Sequence, residues 1–171
     1  MPVDTVIASW RDVRSGFSRE VEQIPAEKFS FRASPETRTV SELVQHVIET
    51  QKFLVGETCR PNSNLMRQSF ANHIKEYAPE VSSVIEKEGL LELLASSLTR
   101  AEELLQSQAG RLDDSILALD GKPKRKFDFL NFAISHEMYH RGQLTVYERL
   151  LGIEPQLTQM LKKFFAQAQA G

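Results

Sequence analysis

The chain of 171 residues is 41% hydrophobic and 26% charged, which is typical of a single globular domain with its own core. Its net charge of −2 gives no electrostatic basis for binding nucleic acid or an anionic membrane, and no apolar run is long enough to cross a bilayer. The lone cysteine, Cys59, excludes an internal disulfide, and the N-terminus lacks a signal-peptide pattern, so we expect a cytoplasmic location.

The first predicted element is a helix from Asp4, which is placed to cap it, to about Ile24. Its apolar residues recur at helical spacing, and Pro25 stops it. A polar loop over residues 25–38 follows.

A second helix is predicted to begin at Thr39, because Thr39 and Glu42 match a capping box. It ends near Arg60. Residues 61–79 are the least regular part of the chain, with a short helix predicted around Leu65 to Tyr77.

The second half of the chain predicts two more long helices, Leu90 to Leu112 and Phe127 to Leu151, separated by an irregular crossing over residues 113–126. Gly152 ends the last long helix. A short amphipathic helix, Gln156 to Ala168, is expected to pack on the bundle or on a second subunit. With no strand alternation evident, we predict an all-α fold over residues 1–171: a four-helix bundle with long crossover loops and a short C-terminal helix.

Three of the four histidines are candidate metal ligands. His136 and His140 are four residues apart, so a helix places both imidazoles on one face, with Cβ atoms roughly 5–6 Å apart. His46 lies on or beside the apolar face of the second helix, whereas His73 lies in the irregular region. Bundles build metal sites from facing helices, so we predict one divalent ion held by His46, His136 and His140 and expect His73 to lie apart.

Two stretches resemble the DinB-like metal-binding bundles, which include the YfiT-type thiol transferases. One runs from Arg38 to His46, and the other is the run His-x-x-x-His-Arg-Gly-Gln from His136 to Gln143, followed by Leu-Gly-Ile at residues 151–153. The resemblance implies a four-helix bundle, often dimeric, with one divalent metal on the three histidines. It also implies that a low-molecular-weight thiol is activated on that metal and transferred to an electrophile.

The chemistry of the ligands agrees with a transferase. Three neutral histidines leave the metal its positive charge and open positions, and a thiol bound there loses its proton. We therefore expect a small-molecule thiol or electrophile as partner, and the charge and hydropathy favour neither nucleic acid nor a membrane. The resemblance and the apolar stripe of the C-terminal helix imply a homodimer. Histidine nitrogen suits Zn, Ni or Fe, so the sequence leaves the metal open.

Two alternatives remain. Residues 136–140 match the zinc-peptidase pattern His-Glu-x-x-His, in which Glu137 is the general base and Glu154 a candidate third ligand; a peptidase or amidase would follow. Against it, Gly152 ends the helix near Glu154, and no strand is evident to line a cleft. The other alternative is a non-enzymatic metal-binding module, although a purely structural site normally has four protein ligands.

Neighbouring polar residues have predicted roles as well. Gln143 and Glu49, each one helical turn from a histidine, are candidates to orient the imidazoles. Glu137 points about 100° away from His136, and we interpret it as a surface charge. Tyr139 and Tyr147 are expected to pack rather than to act in catalysis.

Overall fold

The structure is a computed structural model that describes residues 2–169. Four long helices, two shorter helices and one two-stranded hairpin make up this part of the chain. In chain order the elements are α1 (Pro2–Gln23), α2 (Val40–Cys59), α3 (Phe70–Tyr77), α4 (Lys87–Ser107), β1 (Ser115–Leu117), β2 (Pro123–Arg125), α5 (Lys126–Leu150) and α6 (Gln156–Gln169).

The long helices form a four-helix bundle, as predicted. α1 and α2 lie diagonally opposite each other, and each packs against both α4 and α5. One apolar cluster joins the start of α1 and of α5 to the end of α2 and of α4, and a second cluster joins their other ends. α1 and α5 are therefore parallel to each other and antiparallel to α2 and α4. Because α2 and α4 run in the same direction, the chain between them must return along the length of the bundle.

A polar layer crosses the middle of the bundle between the two apolar clusters. It contains a buried ion pair between Arg14 of α1 and Glu137 of α5. It also contains Gln51 of α2 and Ser97 of α4, both almost fully buried. Buried polar groups need partners, and most of these side chains bond to one another across the helices.

Local signals explain where two helices begin and end. The capping box at the start of α2 is confirmed, because Thr39 Oγ1 accepts from Glu42 N at 3.1 Å and Thr39 N donates to Glu42 Oε2 at 2.7 Å. α5 ends in a Schellman motif. Gly152 has a φ of 78°, and Ile153 N donates to Glu148 O at 2.8 Å.

The hairpin corrects the expectation that the chain forms no strands. Ser115 pairs with Arg125 and Leu117 with Pro123, while Leu65 N donates to Leu117 O at 2.9 Å. These strands are too short to show an alternating pattern. The loop before α3, which is distant in sequence, adds hydrogen bonds to β1.

Three helix boundaries also differ from the prediction. α1 begins at Pro2, so Asp4 lies in its first turn and is not its N-cap. α3 is shorter than predicted because Ser69, rather than a residue near Leu65, caps it. α4 ends at Ser107 instead of Leu112, because the chain tightens into a 3₁₀ turn over Ala109–Arg111.

The C-terminal helix α6 is confirmed, and its large apolar side chains are exposed to solvent. Leu157, Met160, Leu161, Phe164 and Phe165 are each between 40% and 62% exposed. None of the helices in the described part of the chain is long and apolar enough to cross a membrane.

Candidate metal centre

His46, His136 and His140 meet in the middle of the bundle, where α2 faces α5. The spacing of four residues puts His136 and His140 on the same side of α5, with ring centroids 4.4 Å apart. The His46 ring lies 4.7 Å from the ring of His140 and 5.4 Å from that of His136. The sequence therefore identified three side chains that the fold brings together.

Two of the ring nitrogens have the spacing that a single ion requires, and a nitrogen of the third ring lies nearby. His136 Nε2 and His140 Nε2 lie 3.1 Å apart, and one nitrogen from each of the three rings lies within 4.8 Å of the others. Two nitrogens bound to one ion at about 2.0–2.1 Å, at angles between octahedral and tetrahedral, are separated by roughly 2.8–3.4 Å. The residues fit a divalent ion, and ligation by this set stays our prediction.

Polar neighbours orient two of the rings. Gln143 Oε1 accepts a hydrogen bond from His140 Nδ1 at 2.8 Å, which leaves His140 Nε2 with its lone pair directed at His136. This is the role expected for Gln143. Glu49 does not have the corresponding role, because the atom beside His46 Nδ1 is Thr50 Oγ1, at 3.5 Å.

The surroundings keep the imidazoles neutral, which is the form that binds metal. Burial lowers the pKa of His46 to about 3 and that of His136 to about 4, and it also lowers the pKa of His140. The positive charge of Arg38 adds to the lowering in all three, as a cation disfavours a second cation nearby. Each imidazole is therefore neutral at neutral pH and keeps one ring nitrogen without a proton, available to a metal.

Arg38 is a site residue that the sequence analysis missed. Tyr147 donates a hydrogen bond to its carbonyl oxygen at 2.8 Å, which fixes the loop before α2. The guanidinium makes no hydrogen bond or ion pair within residues 2–169. It lines a cleft of about 540 Å³ together with His46, Glu49 and Phe70. Arg38 is the first residue of the stretch that resembles the family. Because it lies in a loop, helical spacing could not predict that its side chain would lie beside the histidines.

Glu137 is buried in the bundle and is not the surface charge that we expected. Its side chain is 3% exposed. Trp10 Nε1 donates to Glu137 Oε2 at 2.8 Å, and Arg14 Nη2 donates to the same oxygen at 2.9 Å. The rotation of 100° per residue turns it away from His136 and into the core, where α1 supplies its partners.

The other residues of the peptidase hypothesis and the fourth histidine lie elsewhere. Glu154 is on the surface and pairs with Lys162, so it does not join the two histidines of α5. His73 is buried in α3, where it packs against Phe53 and bonds to Leu65 O at 3.0 Å.

The two tyrosines of α5 differ. Tyr147 is buried and packs as expected, whereas Tyr139 is 63% exposed, which corrects the expectation that it packs. It lies beside the site, with its ring 5.2 Å from that of His140. Helical spacing places Tyr139 next to His140, but it does not predict whether another element of the fold covers the side chain.

Comparisons with known proteins agree with this architecture. YfiT from Bacillus subtilis, described as a probable metal-dependent hydrolase with an unusual four-helix bundle topology, superposes with a TM-score of 0.68 at 16% identity, covering 89% of each chain. A DinB-like protein from Bacillus cereus superposes with a TM-score of 0.68 at 18% identity, covering 89% of this chain and 94% of its own.

A third solved structure, a mycothiol-dependent maleylpyruvate isomerase, superposes with a TM-score of 0.66 at 16% identity and covers 84% of this chain and 61% of its own. No curated protein sequence matches the chain. At these identities the superpositions show the fold alone. The sequence model of the DinB family, however, matches residues 1–170, and the chain therefore belongs to the DinB family.

Proposed function

We propose that the protein is a metal-dependent transferase that joins a low-molecular-weight thiol to an electrophile. The observation that carries the proposal is the convergence of three neutral imidazoles, contributed by α2 and α5, beside an open cleft. Three protein ligands leave coordination positions for a substrate, in contrast to a closed structural site. Membership of the family and the thiol dependence of one structural relative support the same chemistry.

A divalent ion on these nitrogens supplies the positive charge that favours a thiolate over a thiol. The three histidines hold that charge in place, and Gln143 keeps His140 in the tautomer that presents Nε2. Arg38 adds a second positive charge on the cleft wall. The charge of the metal favours an anionic sulfur, and the charge of Arg38 favours an anionic group elsewhere on the substrate.

The reaction balances without a redox partner. The thiol loses its proton to solvent, and the sulfur uses its electron pair to form a bond to an electrophilic carbon. The leaving group departs from that carbon with the electron pair of the broken bond.

A metal-dependent hydrolase is the second candidate, and one observation favours it. Glu49 lines the cleft with His46, and burial raises the pKa of its carboxyl. A carboxylate with a raised pKa is suited to act as a general base toward water. In this hypothesis Glu49, and not Glu137, accepts the proton of the attacking water.

The test is a rate measurement with metal-loaded and chelator-treated protein. A panel of small thiols is assayed with a chloroaromatic electrophile, and nitrophenyl esters report hydrolysis. We expect metal-dependent formation of the sulfur conjugate that His136→Ala abolishes and that Arg38→Ala weakens at least tenfold for carboxylated thiols, mainly in KM. Conjugation that proceeds equally in His136→Ala contradicts the proposal. Ester hydrolysis that depends on Glu49 selects the hydrolase, and absence of both activities in loaded protein selects a non-enzymatic metal-binding module.

A further inference from the structure

A second cleft adjoins the cleft that contains His46. Its volume is about 380 Å³, within the range of roughly 300–1,000 Å³ that is usual for small-molecule sites. It shares Glu36, Thr37 and Arg38 with the cleft of about 540 Å³ beside His46, which we call the first cleft. The two clefts therefore meet at residues 36–38.

Both clefts reach the histidine cluster. His46 lines the first cleft. Gln143, whose Oε1 accepts a hydrogen bond from His140 Nδ1 at 2.8 Å, lines the second. The rings of His46 and His140 are 4.7 Å apart. Molecules bound in the two clefts would therefore both lie close to His140 and to each other.

The two clefts differ in chemical character. Beyond the shared residues, the first cleft has charged side chains at Arg32, Glu42 and Glu49. Apart from Gln143 and the shared residues, the lining of the second cleft is largely apolar: Ala33, Leu43, Val146 and Tyr147. The first cleft thus suits a molecule with charged groups, and the second suits a molecule with an apolar body.

The second cleft has accessible apolar side chains and a fixed floor. Val146 is 52% exposed, and Ala33 is also exposed, so a ligand in the cleft can contact both. Tyr147 is buried beneath them, where its hydroxyl donates to Arg38 O at 2.8 Å and its ring packs edge-on against Phe31 at 5.8 Å. The cleft is therefore formed before any ligand binds.

A transferase that joins a thiol to an electrophile must hold two substrates at once, and these two clefts meet beside the metal centre. We propose that the first cleft holds the thiol and that the second cleft is the electrophile site, selective for a compact apolar electrophile. A cavity of about 150 Å³ holds benzene, so the second cleft has room for one ring with substituents. This assignment rests on the proposed transferase function.

The assignment makes Val146 a specificity-determining residue, because it is the largest accessible apolar side chain of the second cleft. The covalent step remains as described for the transferase. The thiolate sulfur forms its bond to the electrophilic carbon, and the leaving group departs with the electron pair of the broken bond. Val146 contacts the apolar body of the electrophile and takes no part in that exchange.

Binding of an unreactive analogue tests the second cleft without any reaction. The probe is 1,3-dinitrobenzene, which is 1-chloro-2,4-dinitrobenzene without its leaving group. Equilibrium dialysis against the full chain treated with chelator measures its binding by absorbance, because the cleft is made of protein side chains alone. We expect one molecule per chain with a dissociation constant below about 1 mM.

Two matched variants test the location. Val146→Gln replaces the accessible apolar side chain of the cleft with an amide. Leu150→Gln makes the same kind of change one turn further along α5, at a residue that is 60% exposed and lines neither cleft. Val146→Gln should weaken binding of the probe at least about fivefold through the lost apolar contact, and Leu150→Gln should leave it unchanged. Circular dichroism confirms that each variant is folded.

Steady-state kinetics of the metal-loaded protein test the division between the clefts. With 1-chloro-2,4-dinitrobenzene and the most active thiol of the panel, Val146→Gln should raise KM for the electrophile at least about fivefold and leave KM for the thiol within about twofold. A rise in the KM of the thiol by the same factor would show that both substrates share one cleft, which would overturn the assignment.

Failure of this assignment differs from failure of the transferase proposal. No binding of the probe up to millimolar concentration, or equal binding by wild type and folded Val146→Gln, would overturn the assignment even where conjugation occurs. Binding that Val146→Gln weakens, in loaded protein that forms no conjugate, would keep the cleft as a site for apolar molecules and overturn its role as the electrophile site.

Discussion

Single residues decide which chemistry the metal centre supports, and Glu137 is the clearest case. It follows His136 directly, as the general base does in a zinc peptidase. In the structure, the Glu137 carboxylate instead accepts hydrogen bonds from Trp10 and Arg14. Because both partners of this carboxylate come from the core, we expect Glu137 to act in folding and not in catalysis.

The stabilities of two variants test this role. Glu137→Gln leaves the Arg14 cation without a counter-charge, which should cost about 3 kcal/mol of unfolding free energy, whereas Arg14→Met with Glu137→Leu removes both charges and should cost less than Glu137→Gln alone. Urea unfolding measures the stability, and metal titration of the folded variants should give affinities within a few-fold of the wild type. A Glu137→Gln protein with unchanged stability but no activity would place Glu137 in the catalytic machinery.

At this scale helical spacing predicted the histidine cluster, although it did not predict the surroundings of Glu137, Glu49 or Tyr139. The pair His136 and His140 followed from helical spacing, and His46 from its position on the apolar face. Gln143 was found one turn from His140, and its hydrogen bond is present. Arg38 was not found, because its position beside the cleft depends on the path of the crossover loop, which Tyr147 fixes from a distant part of the chain.

Among the elements, the junction of α1, α5 and α6 is held by two fully buried carboxyl groups. Glu20 of α1 accepts from Arg141 Nη2 at 3.0 Å and from Gln156 N, the first residue of α6, at 2.6 Å. Glu148 of α5 accepts from Gln23 Nε2 at 3.1 Å. Burial and the neighbouring charge of Glu20 raise the pKa of Glu148 to about 8, against a smaller opposing effect of Arg149. The folded protein therefore favours the protonated form of the Glu148 carboxyl.

This junction predicts a pH dependence of stability. Between about pH 4.5 and pH 8 the folded state holds a proton on Glu148 that the unfolded state has released, so stability falls as pH rises through this window, by up to a few kcal/mol. Glu148→Gln should remove that slope and be more stable than the wild type near pH 8. Glu22→Gln, an exposed change on α1, is the control and should keep the slope. Urea unfolding at several pH values measures it, and parallel curves for Glu148→Gln and wild type would refute the prediction.

The elements themselves show where sequence patterns suffice. The four long helices are predictable, since each buries an apolar stripe that recurs over many turns. Sequence patterns do not predict the hairpin of β1 and β2 or the exact ends of α3 and α4. These features depend on a few hydrogen bonds between distant segments, such as the one between Leu65 and Leu117. Local propensity contains no information about such partners.

The whole molecule exposes an apolar face on α6, which motivates the prediction of a homodimer. Leu161 and Phe164, with the neighbouring large side chains of that helix, remain accessible to solvent. Contiguous exposed apolar surface of this kind commonly marks an interface. Light scattering at micromolar concentration should give twice the chain mass of 19.4 kDa, and Leu161→Glu with Phe164→Glu should return the mass to that of one chain. A wild type that scatters as a single chain contradicts the prediction.

The measurement that tests the central claim most directly is the metal content of each chain, determined by elemental analysis of protein purified without a histidine tag. The wild type should hold one divalent ion per chain. His46→Ala, His136→Ala and His140→Ala should each hold much less. His73→Gln, which changes the histidine outside the cluster, should still hold one. A wild type that binds no metal, or a folded His46→Ala that keeps a full equivalent, would contradict the three-histidine centre.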